Sequence, residues 1–301
     1  MALPDDVRAA CTRLAEQATS VRLDPERFDA VLDDGAGGWD VTAPALDPER
    51  HFLDGSEADV ATYLLTLDTV NFGSGWWPTL RKREVAGRPV SGYFTVAWAL
   101  ADRFRAHGPW SNAELRALRA NEVADVLGQP ADHELMALFA QALRGLGTFL
   151  GERSALDLVR AAGGSAVRLA EALADGMAMY DDRGFYKRAQ LVPSDLALAG
   201  VARFRDLHRL TIFADNLVPH VLRCDGVLVY GERLAAHVDA GKPLRMGPQE
   251  REIRACAVHA GEEIARRLGV APATLDHWLW NRGQAPAYKA RPRHRCRTVF
   301  Y

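Results

Sequence analysis

An acidic side chain inside an apolar stretch is the strongest chemical signal in this sequence. Asp215 lies in the segment Phe213-Ala214-Asp215-Asn216-Leu217-Val218-Pro219-His220. Pro219 disfavours a helical conformation at Val218, so we expect Asp215 to lie at a helix end between buried neighbours. A buried carboxylate is costly to desolvate and persists where it is paired or used in chemistry. Asp215 is therefore either a catalytic carboxylate or a buried helix cap or salt bridge.

A second segment combines glycines, an amide and aromatic rings. Residues 67–78 read LDTVNFGSGWWP and contain Asn71 and Phe72. Glycines allow a backbone to approach a ligand closely, and aromatic rings offer faces on which a base can stack. The alternative is a helix terminus capped by Asn71, with a tryptophan in the core.

Two groups of cations could bind a phosphate group. Lys187 and Arg188 follow two aromatic residues in residues 184–190, GFYKRAQ, although an exposed basic turn is the alternative there. Residues 291–297 hold four arginines and His294. Such a run is usually a free basic tail, but the following residues, TVFY, are apolar and end in Tyr301. An ordered tail would bring several of these cations against the body of the protein.

Composition and missing motifs exclude several classes of protein. The 301 residues include 37 Lys and Arg and 39 Asp and Glu, which gives a net charge of -2 and argues against a general polyanion binder. The sequence lacks the P-loop, dinucleotide-binding, zinc-protease and serine-hydrolase motifs. Its four cysteines form no C-x-x-C pair, so we expect reduced thiols and no structural metal. Apolar stretches are shorter than the ~20 residues that span a bilayer, so we expect a soluble, cytoplasmic protein.

The elements that must position these residues are mainly helices. Apolar residues recur with a helical period over residues 93–106, 132–150, 154–162, 165–177, 232–240, 249–268 and 275–281. Ser56 with Asp59 and Ser111 with Glu114 fit capping boxes. Strand signals are short, at 227–230 and 298–301, and residues 33–48 form the expected long loop.

We therefore predict a mainly α fold with minor short β-strands. Nothing in the sequence alternates strand and helix as a doubly wound sheet would. Residues 1–301 should form one compact helical domain, in which a helical part at 1–150 and another at 151–301 enclose a cleft.

Taken together, these segments resemble a known family, the queuosine salvage proteins. The resemblance rests on the order and spacing of short motifs from about residue 56 to the last residue: Asn71-Phe72 with Trp76, Ser91-Gly92-Tyr93, Phe185 to Gln190, Phe213-Ala214-Asp215 with Val218-Pro219, Glu252-Ile253-Arg254, and His294-Arg295 through Tyr301. Where other members read Tyr-Arg-Val-Pro-Gln after the aspartate, this chain has Asn216-Leu217-Val218-Pro219-His220. The departure leaves roles at Asn216, Leu217 and His220 open and keeps Asp215.

The resemblance implies an enzyme that hydrolyses the N-glycosidic bond of queuosine 5'-monophosphate and releases the base queuine, a modified 7-deazaguanine. It also implies a helical fold similar to the helical DNA glycosylases, a small-molecule substrate, and no metal or organic cofactor. Breaking a ribosyl C–N bond develops positive charge on the sugar, which a nearby carboxylate can stabilise. Position 7 of the base is a carbon, so the leaving base must be hydrogen-bonded or protonated on its pyrimidine ring, by a second acidic or amide group.

These expectations assign the site residues as follows. Asp215 faces the sugar, and Asp195 is a second acid that reads the guanine-like edge. Asn71 and Phe72 contact the base or its side arm, Tyr93 or Trp98 stacks on it, and the role of Asn216 stays open. Lys187 and Arg188 are candidates for the 5'-phosphate, with His294 and Tyr301 as weaker ones.

Two rival functions fit the same residues. A glycosylase acting on DNA or tRNA would share the helical fold, but the net charge of -2 disfavours a polymeric nucleic-acid partner. A non-catalytic protein that binds a modified base would need the aromatic and amide pocket but no carboxylate at the sugar.

Overall fold

Fifteen α-helices dominate the part of the chain that the computed structural model describes, residues 2–33 and 39–301. The helices are α1 Leu3–Glu16, α2 Pro25–Ala30, α3 Glu57–Thr69, α4 Gly92–His107, α5 Asn112–Ala117, α6 Ala120–Leu127, α7 Glu134–Leu150, α8 Ala155–Ala161, α9 Ala166–Gly176, α10 Lys187–Leu198, α11 Val218–Cys224, α12 Glu232–Asp239, α13 Pro248–Leu268, α14 Pro272–Arg282 and α15 Pro286–Lys289. The predicted mainly α class is confirmed, with 58% of residues in helices. Within the described ranges, no helix is both long and apolar enough to cross a membrane.

Strands are few and short. β1 (Val21–Leu23) pairs antiparallel with β4 (Leu228–Tyr230), and β2 (Glu84–Val85) pairs with β3 (Arg88–Pro89). The predicted strand at 227–230 is confirmed as β4. The predicted strand at 298–301 is wrong, because that segment forms no ladder; Tyr301 is buried and Val299 and Phe300 are half-buried without one.

Helix starts follow the capping chemistry of the sequence. The Ser111 hydroxyl accepts the Glu114 N–H at 3.2 Å while Glu114 accepts the Ser111 N–H at 2.7 Å, which confirms that capping box. Ser56 caps α3 in the same way, but Asp59 accepts the Ser56 hydroxyl, at 2.7 Å, instead of its backbone N–H. Of the loop predicted at 33–48, residues 34–38 lie outside the described residues, and 39–47 carry no regular secondary structure.

Two helices organise the core around the site. α3 is almost entirely buried and packs against α4, α7, α8 and α10. α13, the longest helix of the described residues, packs against α1, β1, α11 and α14. Helices from before and after residue 150 therefore share one core. The division into parts at 1–150 and 151–301 stays a prediction.

The C-terminal segment is ordered against the end of α3. The Gly73 N–H donates to the Tyr301 carbonyl oxygen at 3.0 Å, and Arg295 donates to two backbone carbonyls of the body. Gly75 is required there, because a Cβ at this position would lie 2.1 Å from the Cys296 carbonyl oxygen. The basic run therefore brings its side chains to the region where α3 ends.

Candidate active site

A cleft with two chambers lies where α3, α4, α10 and α14 meet the segment before α11. Five residues line both chambers and form the junction between them: Asn71, Tyr93, Lys187, Asp215 and Trp280. The first chamber has an apolar wall and also reaches Phe72, Asn216, Arg293 and Tyr301. The second chamber has an acidic wall and reaches His51, Asp195, Asp276 and His277.

Asp215 is held with one oxygen anchored and the other directed to the cleft. Its Oδ1 accepts the Leu217 N–H at 2.6 Å and the Val218 N–H at 3.0 Å, at the start of α11. Its Oδ2 makes no hydrogen bond to any residue that the structure describes, and the side chain lines both chambers. Pro219 lies in the first turn of α11, a position that suits proline, so Val218 is helical against the expectation and Asp215 lies just before the helix. A carboxylate fixed in this way has one oxygen available to a ligand.

Lys187 is a buried cation at the first position of α10. Its Nζ donates to the Asn71 side-chain oxygen at 3.1 Å and lies 3.4 Å from the Asn71 carbonyl oxygen. Burial lowers the pKa of Lys187, and attraction from Asp215, Asp68 and Asp276 opposes that shift. The ammonium group therefore sits among carboxyl groups that favour its charged form.

Three buried acids surround this lysine. Burial raises the pKa of Asp68 and of Asp195, and repulsion between the two acids raises that of Asp195 further. Burial and repulsion from Asp215 raise the pKa of Asp276 to about 8, although its Oδ1 accepts the Phe213 N–H at 2.8 Å. One ammonium cannot offset the charge of these three acids and Asp215 together. Some of the three acids therefore keep their protons at neutral pH.

Two histidines and two aromatic rings complete the second chamber. Burial lowers the pKa of His277 to about 4, so its imidazole is neutral, and its Nε2 lies 3.1 Å from the Ser194 hydroxyl. At the junction, the Tyr93 hydroxyl lies 3.0 Å from His51 Nε2, and the Tyr93 ring meets the Trp280 ring edge-on at 5.1 Å. Flat apolar rings thus stand beside hydrogen-bonding acids.

The segment that matches a known protein family contains the residues of this cleft. A family model described as "Queuosine salvage protein" matches residues 51–301, which contain every cleft residue named above. The chain belongs to the queuosine salvage protein family. It is 35% identical, over the whole of both chains, to the queuosine 5'-phosphate N-glycosylase/hydrolase of Sphaerobacter thermophilus. It is 27% identical, again over both whole chains, to the protein of that name from Mus musculus. A 127-residue stretch, 39% of this chain and 40% of the relative, is 36% identical to the Dictyostelium discoideum protein of the same name.

Several residues predicted from the sequence of this family member converge on the cleft. Asn71, Tyr93, Lys187 and Asp215 meet at the junction, and Asp195 lines the second chamber. Phe72, Asn216 and Tyr301 line the first chamber, where the Phe72 ring packs edge-on against Phe139 at 4.9 Å. The Asn216 amide donates to the His294 carbonyl oxygen at 3.3 Å, which ties the segment after Asp215 to the C-terminal segment.

Three predicted residues lie away from both chambers. The Arg188 guanidinium is buried, donates to the backbone carbonyls of Thr69, Met179 and Val299, and so holds α10 to α3 and to the C-terminal segment. Trp98 packs under the Arg83 guanidinium, whose central carbon lies 4.4 Å from the ring centroid. Burial lowers the pKa of His294 to about 3, and neither of its ring nitrogens has a partner among the described residues.

Sequence reasoning did not single out Asp68, Asp276, His277, Trp280 or Arg293 as site residues. A usable signal existed for Asp276, which lies in the apolar stretch LDHWLW of residues 275–280, and for Asp68 in LLTLDTV of residues 64–70. Both repeat the pattern that marked Asp215, an acid among apolar neighbours. In the described part of the chain, His, Cys, Asp and Glu form no group of three or more that could hold a metal ion.

Proposed function

We propose that this protein hydrolyses the N-glycosidic bond of queuosine 5'-monophosphate and releases queuine and ribose 5-phosphate. The relatives' names support the reaction class. The observation that carries the proposal is the half-anchored Asp215 carboxylate at the junction of the two chambers, next to a buried lysine. The small-molecule substrate, the absence of a polymeric nucleic-acid partner and a cytoplasmic location belong to the same proposal.

Asp215 acts on the ribose. As the bond from C1' to the base nitrogen lengthens, positive charge develops on C1' and the ring oxygen. The free Oδ2 stabilises that charge and accepts a proton from the water that attacks C1'. The two backbone N–H groups on Oδ1 keep the carboxylate oriented during the reaction, so little reorganisation is needed.

The protonated acids of the second chamber serve the leaving base. A 7-deazaguanine cannot take a proton at position 7, so its negative charge must be relieved on the pyrimidine ring. Asp195 and Asp276 line the second chamber, and burial raises the pKa of both carboxyl groups. One of them donates its proton to the departing base, and both accept hydrogen bonds from the guanine-like edge. The proton released by the attacking water balances the one given to the base.

Lys187 and Asn71 fix the geometry of the junction between the two chambers. The ammonium group is engaged by Asn71 and surrounded by acids, so its contacts favour a role beside the sugar over the predicted role at the phosphate. We propose that the Lys187 ammonium attracts the Asp215 carboxylate and so holds it at the junction. Tyr93 and Trp280 provide the faces against which the nucleoside packs.

The decisive test is product analysis with purified protein and the 5'-monophosphate. We expect free queuine and ribose 5-phosphate by mass spectrometry, and in ¹⁸O-labelled water one heavy oxygen in the sugar product and none in the base. The Asp215→Asn variant is the matched control and should release neither product at a comparable rate. Binding of the nucleotide without bond cleavage would favour the non-catalytic rival, and inhibition by added tRNA would favour the polynucleotide glycosylase.

A further inference from the structure

Arg293 differs from the other arginines of the C-terminal run. Its half-buried side chain lines the first chamber and makes no hydrogen bond or ion pair with any residue in the described ranges. Arg291 pairs with Asp239 at 3.4 Å, Arg295 donates to two backbone carbonyls, and Arg297 pairs with Glu134 at 3.3 Å. A partly desolvated guanidinium with five unused donors is suited to an anionic ligand.

Other cations lie near Arg293. Partial burial, and then repulsion from Lys82, Arg293 and Arg50, lower the pKa of Lys289, so each of these three cations is close enough to Lys289 to repel it. Arg50 pairs with Asp47 at 3.0 Å, whereas Lys82 and Lys289 are exposed and have no ion pair among the described residues. Lys289, an exposed cation without an ion pair in the described ranges, therefore adds positive charge near Arg293.

The two chambers differ in the charge that they would accept. The second chamber holds Asp195, Asp276 and the ion pair of Asp47 with Arg50, in addition to the shared Asp215 and Lys187. The first chamber holds no carboxylate side chain other than Asp215 and offers Arg293, Asn216 and Gln284 instead. A phosphate dianion is attracted to the unpaired guanidinium of the first chamber, while the N–H donors of a guanine-like edge suit the acids of the second.

The two cations that sequence reasoning assigned to the phosphate are already engaged. Arg188 donates to three backbone carbonyls outside the cleft, and Lys187 donates to Asn71 at the junction. We propose that Arg293 binds the 5'-phosphate of the nucleotide in the first chamber, while the base occupies the second chamber. This inference rests on the proposed function. It makes Arg293 the residue that distinguishes a 5'-monophosphate from the free nucleoside.

The test compares Arg293→Gln and Arg293→Lys with the control Arg291→Gln, two residues away on the same segment. We expect kcat/KM for queuosine 5'-monophosphate to fall roughly 10- to 100-fold in Arg293→Gln, the range for a lost charge-assisted hydrogen-bond pair. For the free nucleoside, the same variant should change kcat/KM less than about threefold. Arg293→Lys should lie between wild type and Arg293→Gln, and Arg291→Gln should match wild type on both substrates.

A second measurement is independent of turnover. Ribose 5-phosphate and ribose are titrated into wild-type and Arg293→Gln protein by calorimetry. We expect wild type to bind ribose 5-phosphate at least about tenfold more tightly than ribose, and Arg293→Gln to lose that preference. Equal losses on nucleotide and nucleoside, or an unchanged preference for ribose 5-phosphate, would overturn the inference, since Arg293 would then only balance the charge of Asp215. Failure of the wild type to release base from either substrate would refute the proposed function, and the titration would still decide the role of Arg293.

Discussion

Two buried charge clusters in this protein differ in how their hydrogen bonds are satisfied. In the Arg254 cluster, the guanidinium donates to both oxygens of Asp182, at 3.0 and 2.5 Å, and lies 3.5 Å from Glu250. The Lys187 cluster consists of Lys187 with Asp68, Asp195 and Asp276. Neither oxygen of Asp68 has a hydrogen-bond partner among the described residues, and Asp195 Oδ1 has none either.

We infer from this difference that the Arg254 cluster stabilises the fold and that the Lys187 cluster serves the reaction. Buried charges that are paired are costly to separate and fix the geometry around them, whereas unpaired buried acids persist where a ligand or a proton uses them. The two clusters are adjacent, because Arg254 also donates to the Ala214 carbonyl oxygen at 2.9 Å, one residue before Asp215. The Arg254 cluster therefore holds in place the segment that carries Asp215, beside the Lys187 cluster.

The largest effect is expected from Asp215→Asn. The amide keeps an oxygen acceptor for the N–H groups of Leu217 and Val218 but loses the charge that faces the sugar. Turnover of the 5'-monophosphate should fall ~10³-fold or more, measured as queuine released per enzyme per minute. The thermal midpoint should move by only a few degrees. Near-normal hydrolysis by this variant would remove Asp215 from the chemistry.

Arg254→Met should affect stability rather than chemistry. It leaves the carboxylate of Asp182 buried without a neighbouring cation, so the free energy of unfolding should fall by about 3–5 kcal/mol in urea titrations. The control Arg251→Met, on the same helix and half-exposed, should cost less than about 1 kcal/mol. If Arg254→Met abolished activity at unchanged stability, the Arg254 cluster would take part in the reaction, and the two clusters would not differ in role.

Asp276→Asn tests whether the buried acids around Lys187 are protonated. Burial raises the pKa of Asp276 in the folded protein from 3.8 to about 8, so the folded state binds this proton more tightly than the unfolded state. Stability should therefore decrease as the pH rises from about 4 to 8, and the neutral amide should remove roughly 1–3 kcal/mol of that decrease. Asp157→Asn is the control, because this acid is exposed and hydrogen bonds from Ser154 lower its pKa instead of raising it. An unchanged slope in Asp276→Asn would mean that the folded protein holds this acid ionised.

The sequence predicts the helices and one catalytic candidate well, for a local reason. Apolar period and capping residues act within a few positions, which is why α4, α7 and α13 fall within two residues of their predicted bounds. Asp215 is visible for the same reason, since its apolar neighbours adjoin it in sequence.

The grouping of the site residues could not be predicted, because it depends on packing between distant segments. Lys187 meets Asn71, 116 residues earlier, only because α10 packs on α3. Lys187 and Arg188 differ by one position, and a helix turns about 100° per residue, so one side chain enters the cleft and the other meets the C-terminal segment. Which of the two does so depends on where α10 begins, and helix starts are the least predictable feature of a sequence.

Glu250→Gln should have the smallest effect. It tests whether the charge of the Arg254 cluster serves stability alone. Glu250 lies 3.5 Å from Arg254, farther than Asp182, and glutamine keeps its size and one acceptor oxygen. The free energy of unfolding should fall by about 1 kcal/mol, because Asp182 alone still neutralises the guanidinium. The kcat/KM for the 5'-monophosphate should stay within about twofold of wild type. A large loss of kcat/KM at unchanged stability would show that charge in the Arg254 cluster reaches the cleft, through Tyr301, whose ring lies 4.6 Å from the Arg254 central carbon.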